Sequence, residues 1–131
     1  MARLSALPTR WEDPILSRAQ AEAHLAQPGA VLLAEPEGGH LLGMVVAGGV
    51  ADIMTLYVPE ARRRQGVARR LMGEFIGLAK AYGAEGLTLE VAEHNTAAIA
   101  LYEALGLRVV ARRKGYYANG ADALVFAIDF T

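Results

Sequence analysis

The sequence predicts a mixed α/β (α+β) domain spanning residues 1–131. Three observations carry that expectation. Apolar residues switch repeatedly between the alternation of a strand and the three-to-four-residue stripe of a helix. The switches fall at glycine, proline or capping residues. Hydrophobic residues make up 53% of the chain and mean hydropathy is +0.23, enough apolar surface for a buried core.

The opening residues, through about Leu16, carry no clear pattern. Ser17-Arg18-Ala19-Gln20 then reads as a capping box, and the helix it starts runs to about Gln27, where Pro28-Gly29 stops it. Ala30–Glu35 is a short apolar strand, Pro36-Glu37-Gly38-Gly39 a turn, and Leu41–Ala47 a second strand. Gly48-Gly49 signals a tight hairpin into a third strand, Ala51–Val58. From Gly66 the spacing becomes helical: Val67, Leu71, Phe75, Leu78 and Tyr82 share one stripe, and Gly83 follows as a C-terminal stop. Leu87–Val91 alternates as a strand. Asn95 caps a helix bearing Ile99, Leu101, Tyr102 and Leu105, which Gly106 ends. Two more strands, Leu107–Arg112 and Ala123–Asp129, flank a polar loop with Tyr116 and Tyr117.

Composition excludes several functional classes. The chain has no cysteine, which removes disulfide scaffolds, thiolate metal sites, iron–sulfur clusters and thiol nucleophiles. Thirteen basic and fourteen acidic side chains leave a net charge of −1, an unsuitable balance for a dedicated nucleic-acid binder. His24, His40 and His94 lack ligand spacing, so no metal is expected. The first thirteen residues hold no apolar signal core, and the apolar stretch Leu41–Ala51 is too short to cross a bilayer. The expectation is a cytoplasmic protein with no membrane partner, acting as a monomer or a homodimer.

The segment that carries chemistry is Arg62-Arg63-Arg64-Gln65-Gly66-Val67-Ala68-Arg69-Arg70. Strand, loop, glycine and helix in that order suit an anion, because the first amides of a helix lack internal partners and its dipole favours negative charge. Gly66 admits close approach of a ligand to the backbone, and arginines add charge-assisted contacts. A solvated basic face fits the same local pattern equally well. Glu90, between Leu89 and Val91, matches a polar residue on an exposed strand face. Tyr102, beside Leu101, matches a packed aromatic residue.

Arg63-x-x-Gly66-x-Ala68, after a strand ending at Val58, resembles motif A of the GNAT superfamily, written [Q/R]-x-x-G-x-[G/A]. Leu89-Glu90-Val91-x-x-x-Asn95-x-x-Ala98-Ile99-x-Leu101-Tyr102-Glu103-x-Leu105-Gly106-Leu107 resembles its motif B. Tyr116-Tyr117-x-x-Gly120-x-Asp122-Ala123 is similar to the branch that acetylates protein N-terminal amines, typified by the ribosomal-protein-alanine N-acetyltransferases. The resemblance covers about residues 40 to 129. It departs from the branch in a short region before Val31 and in Gly120-Ala121-Asp122, where Gly-Glu-Asp is usual.

The resemblance implies a central mixed, mostly antiparallel sheet, splayed between the parallel strands Ala51–Val58 and Leu87–Val91 and flanked by helices. It implies acetyl-CoA as cosubstrate. The backbone of Leu56, Tyr57 and Val58 would pair with pantetheine, one of its amides facing the thioester carbonyl as an oxyanion hole. Arg63, Arg64, Gln65, Gly66, Val67, Ala68 and Arg69 would seat the pyrophosphate, and Asn95 would touch the coenzyme arm. Glu90 would be general base and Tyr102 general acid, with Tyr116 and Tyr117 toward the acceptor.

Those residue types suit the reaction. An α-amine of pKa near 8 is roughly a tenth neutral at pH 7, whereas lysine, near 10.4, is neutral only to a few ten-thousandths. A carboxylate therefore suffices to deprotonate the first and is strained for the second. The implied acceptor is a protein N-terminal α-amine, followed by a small-molecule or lysine amine. Two rivals stand beside it: a coenzyme-A-binding sensor without turnover, and nucleic-acid contact through Arg62–Arg70.

Overall fold

The computed structural model describes residues 1–130. Its elements are β1 (Ala2–Leu4), α1 (Arg18–Leu25), β2 (Ala30–Ala34), β3 (His40–Met44), β4 (Val50–Tyr57), α2 (Val67–Ala81), β5 (Gly86–Ala92), α3 (Thr96–Ala104), β6 (Arg108–Arg113) and β7 (Ala123–Asp129). The strands form one sheet in the order β1-β2-β3-β4-β5-β7-β6. Its pairs are antiparallel except β4–β5, which is parallel. The mixed, mostly antiparallel fold is the one the sequence predicts.

Alternation along the strands sends apolar residues to both faces. Val31, Leu33, Leu41, Ile53, Leu87, Leu89 and Val91 meet the buried stripe of α2, Val67, Leu71, Met72, Phe75 and Ala79. Full burial of a side chain such as Leu71 or Phe75 contributes about 2–3 kcal/mol. The helix can lie this close because β3 carries Gly43 beneath it: a Cβ there would stand 2.6 Å from the Phe75 ring and 2.9 Å from the Asp52 carbonyl oxygen. On the opposite face Leu32 and Leu42 pack with Leu16 and Ala21 of the N-terminal segment and α1.

Most boundaries shift by a residue or two, and four features depart further from the sequence reading, each for a local reason. β1 pairs with β2 at Ala2↔Ala34 through Leu4↔Leu32, a three-residue strand too short to show a period. β3 ends at Met44 because the Val45 amide turns to the Gly29 carbonyl at 2.8 Å. The Gly48-Gly49 connection is consequently no tight hairpin; Gly48 donates to Gly83 at 2.9 Å and Glu85 to Gly49 at 2.8 Å, tying the loop to the end of α2. Tyr82 leaves the apolar stripe: the helix stops at Ala81, and the ring lies exposed beneath the Arg3 guanidinium, 5.9 Å from its centroid.

The ladder between β4 and β5 runs only from Val50↔Gly86 to Ile53↔Leu89. Beyond it β4 continues to Tyr57 beside β3, while β5 continues to Ala92 beside β7. The two strands diverge there, and the sheet opens along its middle. Among the described residues no helix is long and apolar enough to cross a membrane.

Candidate active site

The opening between β4 and β5 leads into a cleft of about 780 Å³ at the start of α2, lined by Leu56, Tyr57, Val58, Arg62, Arg63, Arg64, Gly66, Val67, Ala68, Arg69, Asn95 and Tyr102. A smaller recess of about 130 Å³ lies in the splay itself, lined by Met54, Glu90, Val91, Tyr116 and Tyr117 among others. Ile15, Leu56, Asn95 and Tyr102 border both. The predicted coenzyme, catalytic and acceptor residues are thus brought to one continuous depression, except for the Gln65 side chain. That amide donates to the Ala61 carbonyl at 3.2 Å and its oxygen accepts from Arg62 at 3.3 Å, which stiffens the loop instead.

The start of α2 is built to receive an anion. Gly66 is its N-cap, in the left-handed region at φ 77, and no side chain caps the helix. The first helical bond is donated by Arg70 to the Gly66 carbonyl at 3.0 Å, so the amides before it point into the cleft mouth. Arg64 is also left-handed at φ 64, a conformation costly for a residue with a Cβ. The two left-handed residues flank Gln65 at the entry to α2.

The arginines divide by task. Arg70 is held by the Glu35 carboxylate at 2.7 and 2.9 Å and by the Gln65 carbonyl at 3.0 Å. Arg62 pairs with Glu37 at 2.9 Å, and Arg63 donates to the Val58 carbonyl at 3.0 Å. Arg64 and Arg69 line the cleft and have no ion pair among the described residues. Arg63 also lines the cleft without an ion pair among the described residues, so three cations are left for a ligand, of which Arg64 and Arg69 have no side-chain hydrogen bond there either. The residues present therefore fit a coenzyme diphosphate: open amides, a glycine cap and guanidinium groups that no carboxylate holds.

On the other side, Tyr102 is only 5% exposed and packs edge-on against Phe126 at 5.7 Å, so it is core and lining at once. Burial, and then the neighbouring Tyr117, push its hydroxyl pKa up to about 12. Asn95 spends its side-chain oxygen on the Ala98 amide at 3.2 Å, capping α3, and keeps its NH₂ group for other partners. The Glu90 side chain is a quarter exposed, with Arg113 3.9 Å away. Tyr116 and Tyr117 meet edge to face at 5.1 Å across the same recess.

Two groups escaped the sequence reading. Asp52, in the paired part of β4, has a pKa pushed up to about 6, first by burial and then by the negative charge of Glu90, against the smaller pull of His24 and Arg113. Its signal was present: a lone carboxylate in an apolar strand. The second is the segment Asp13-Pro14-Ile15, which lines the cleft although no periodicity marks it.

Comparison with known proteins places this architecture. The N-alpha-acetyltransferase of Saccharolobus solfataricus is 41% identical over 76 residues, 57% of this chain and 46% of that protein. The [Ribosomal protein bS18]-alanine N-acetyltransferase of Escherichia coli strain K12 is 34% identical over 98 residues, 70% of this chain and 66% of that protein. The chain thus spans about half to two-thirds of the length of these relatives. The crystal structure of the ribosomal-protein-S18-alanine N-acetyltransferase from Escherichia coli superposes with a TM-score of 0.77 at 28% identity, covering 88% of this chain and 77% of that one. The family model described as "Acetyltransferase (GNAT) family" matches residues 2–107, and with the splayed sheet and the arginine-flanked start of α2 this makes the chain a member of that family.

Proposed function

We infer that the protein transfers an acetyl group from acetyl-CoA to a primary amine, and that its acceptor is a protein N-terminal α-amine. The observation that carries this reading is continuity. The anion seat at the start of α2 runs through Leu56, Asn95 and Tyr102 into the recess that holds Glu90. A long ligand with a phosphate-bearing end and a reactive end fits such a depression, and a second ligand can meet it from the Glu90 side. Relatives named for N-terminal or ribosomal-protein N-acetylation support the acceptor class.

The cosubstrate supplies the activated acetyl thioester. Arg64, Arg69 and the amides of Gly66 to Ala68 hold its diphosphate, and the β4 backbone beyond Met54, free of β5, pairs with its arm. Glu90 accepts one proton from the incoming ammonium, directly or through water, so that the neutral nitrogen can form its bond to the acyl carbon as the carbon–sulfur bond breaks. Tyr102 faces the leaving sulfur. A phenol held near 12 keeps its proton beside a thiolate of ordinary pKa about 8.5, so Tyr102 acts mainly as a neutral hydrogen-bond donor to the sulfur, and the second proton that the nitrogen sheds on becoming an amide balances the departing thiolate.

The test is thiol release from acetyl-CoA with three matched peptides: one with a free Ala N-terminus, one with that terminus blocked, and one blocked but carrying an internal lysine. Turnover with the first alone is the expected result. Turnover only with the lysine peptide or with free polyamines overturns the acceptor, and coenzyme binding without turnover on any amine overturns the enzyme.

A further inference from the structure

A cation stands beside the recess, against its lining residue Glu90. Arg113, at the end of β6, places a guanidinium nitrogen 3.9 Å from the Glu90 carboxylate, the outer limit of an ion pair, and 57% of its side chain is exposed. The same group lies over the Tyr116 ring, 5.3 Å from its centroid, and Tyr116 lines the recess. Its neighbour Arg112 is committed elsewhere, to Asp122 at 2.9 Å and Glu93 at 3.6 Å. Of the two consecutive arginines, only Arg113 is loosely held and beside the proposed base.

Deprotonating an ammonium at Glu90 brings a second positive charge to a carboxylate that already faces one. The newcomer displaces Arg113, whose guanidinium stays at the rim on its aromatic platform with its charge unanswered. An acceptor that carries its own carboxylate close to its amine answers that charge: ammonium goes to Glu90, carboxylate to Arg113. A neutral acceptor leaves the guanidinium stranded, and a basic one is repelled by it. The planar fork of arginine suits a carboxylate better than lysine would.

We propose that Arg113 is a specificity-determining residue, and that the site prefers N-termini with an acidic side chain within their first two residues. This rests on the α-amine reading above. The experiment compares kcat/KM for peptides beginning Ala-Glu, Ala-Gln and Ala-Lys, with the wild-type protein and with Arg113→Gln, Arg113→Lys and Arg108→Gln. Arg108 sits on the same strand, so its variant repeats the charge change away from the recess. The wild type is expected to favour Ala-Glu over Ala-Gln by about fivefold, mostly through KM, with Ala-Lys the poorest. The Glu-to-Gln ratio should fall to about one in Arg113→Gln, recover partly in Arg113→Lys, and persist in Arg108→Gln. Turnover without an acidic preference, or a ratio that survives Arg113→Gln, overturns this inference and leaves the acceptor class standing. No turnover on any free N-terminus overturns both.

Discussion

The Asp13 carboxylate, with no side-chain exposure, lies 2.8 Å from His40 Nε2. It also accepts from the Thr55 hydroxyl at 2.6 Å and from the amides of Ile15 at 2.8 Å and Leu16 at 3.0 Å. Trp11 stacks on the His40 ring at 4.0 Å and donates its indole N–H to the Leu16 carbonyl at 2.8 Å. An irregular segment is thereby fastened to β3 and β4, and with it Ile15, which borders both parts of the cleft.

Replacing Asp13 should therefore cost stability and acceptor binding together. Asp13→Ala leaves His40, Thr55 and two amides without their acceptor, a loss of about 3 kcal/mol measurable by urea denaturation. Burial alone would raise this carboxyl, but the bonds from His40, Thr55, Ile15 and Leu16 outweigh it and hold the pKa below its ordinary 3.8. The contribution is thus fully present above about pH 4 and fades as pH falls through the lowered folded value. The stability gap between wild type and Asp13→Asn should narrow in that acid range; a gap constant down to pH 2 would contradict the assignment.

Glu90 and Asp52 form the second coupled pair. Glu90→Gln should reduce turnover about a hundredfold while the coenzyme dissociation constant stays put, because the carboxylate acts on the amine alone. The same change removes the charge that helps push Asp52 up to about 6, so the Asp52 carboxyl, followed by NMR, should titrate at lower pH in the variant. The sign for stability is opposite to that of Asp13. A carboxyl whose folded pKa is raised favours the folded state below the unfolded value, near 3.8, and loses that contribution as pH rises through about 6. Asp52→Asn should flatten the stability profile between pH 4 and 6, and an unchanged slope there would count against the pair.

Much of this was legible in the sequence, for a reason that also marks its limit. Signals that depend on residues close in the chain survived: the Ser17 capping box forms with both of its bonds, the apolar stripe of α2 is buried from Val67 to Ala79, and Asn95 caps α3. Relationships made by folding did not. Asp13 reaches Thr55 across 42 positions and His40 across 27, and no local period encodes such a clamp. The five arginines near Gly66 are alike in sequence, and only folding sorts them: Glu35 and Glu37, brought over from the β2–β3 turn, hold Arg70 and Arg62, Arg63 turns to the Val58 carbonyl, and Arg64 and Arg69 have no side-chain partner among the described residues.

Tyr102 presents a sharper kinetic expectation. Its hydroxyl, held near 12 by burial and Tyr117, stays protonated throughout the working range. The alkaline limb of the kcat profile should therefore not report this phenol below pH 10. Tyr102→Phe keeps the edge contact with Phe126 and should fold with near wild-type stability, while kcat drops by about ten- to a hundredfold through loss of one donor to the sulfur. A wild-type rate in this variant would leave Tyr102 a packing residue only.

Gly66 tests the anion seat most directly, because its role is conformational and local. Its φ of 77 is cheap only without a Cβ, yet the nearest atom to an added Cβ, the Arg70 guanidinium at 3.4 Å, is the far end of a flexible side chain. Gly66→Ala should thus cost about 1–2 kcal/mol from backbone strain rather than from a clash. The loop can relieve that strain by turning its amides away from the cleft, and acetyl-CoA affinity should then fall about tenfold or more by calorimetry. Arg64→Gln and Arg69→Gln remove charge without touching the backbone, and each should weaken binding about three- to tenfold with unchanged thermal stability. Arg70→Gln makes the opposite cut: it frees Glu35 and the Gln65 carbonyl, so the melting temperature should drop, with affinity affected only through the loosened loop. If Arg70→Gln weakened binding more than Arg64→Gln and Arg69→Gln combined, the division of the arginines drawn from their partners would be wrong.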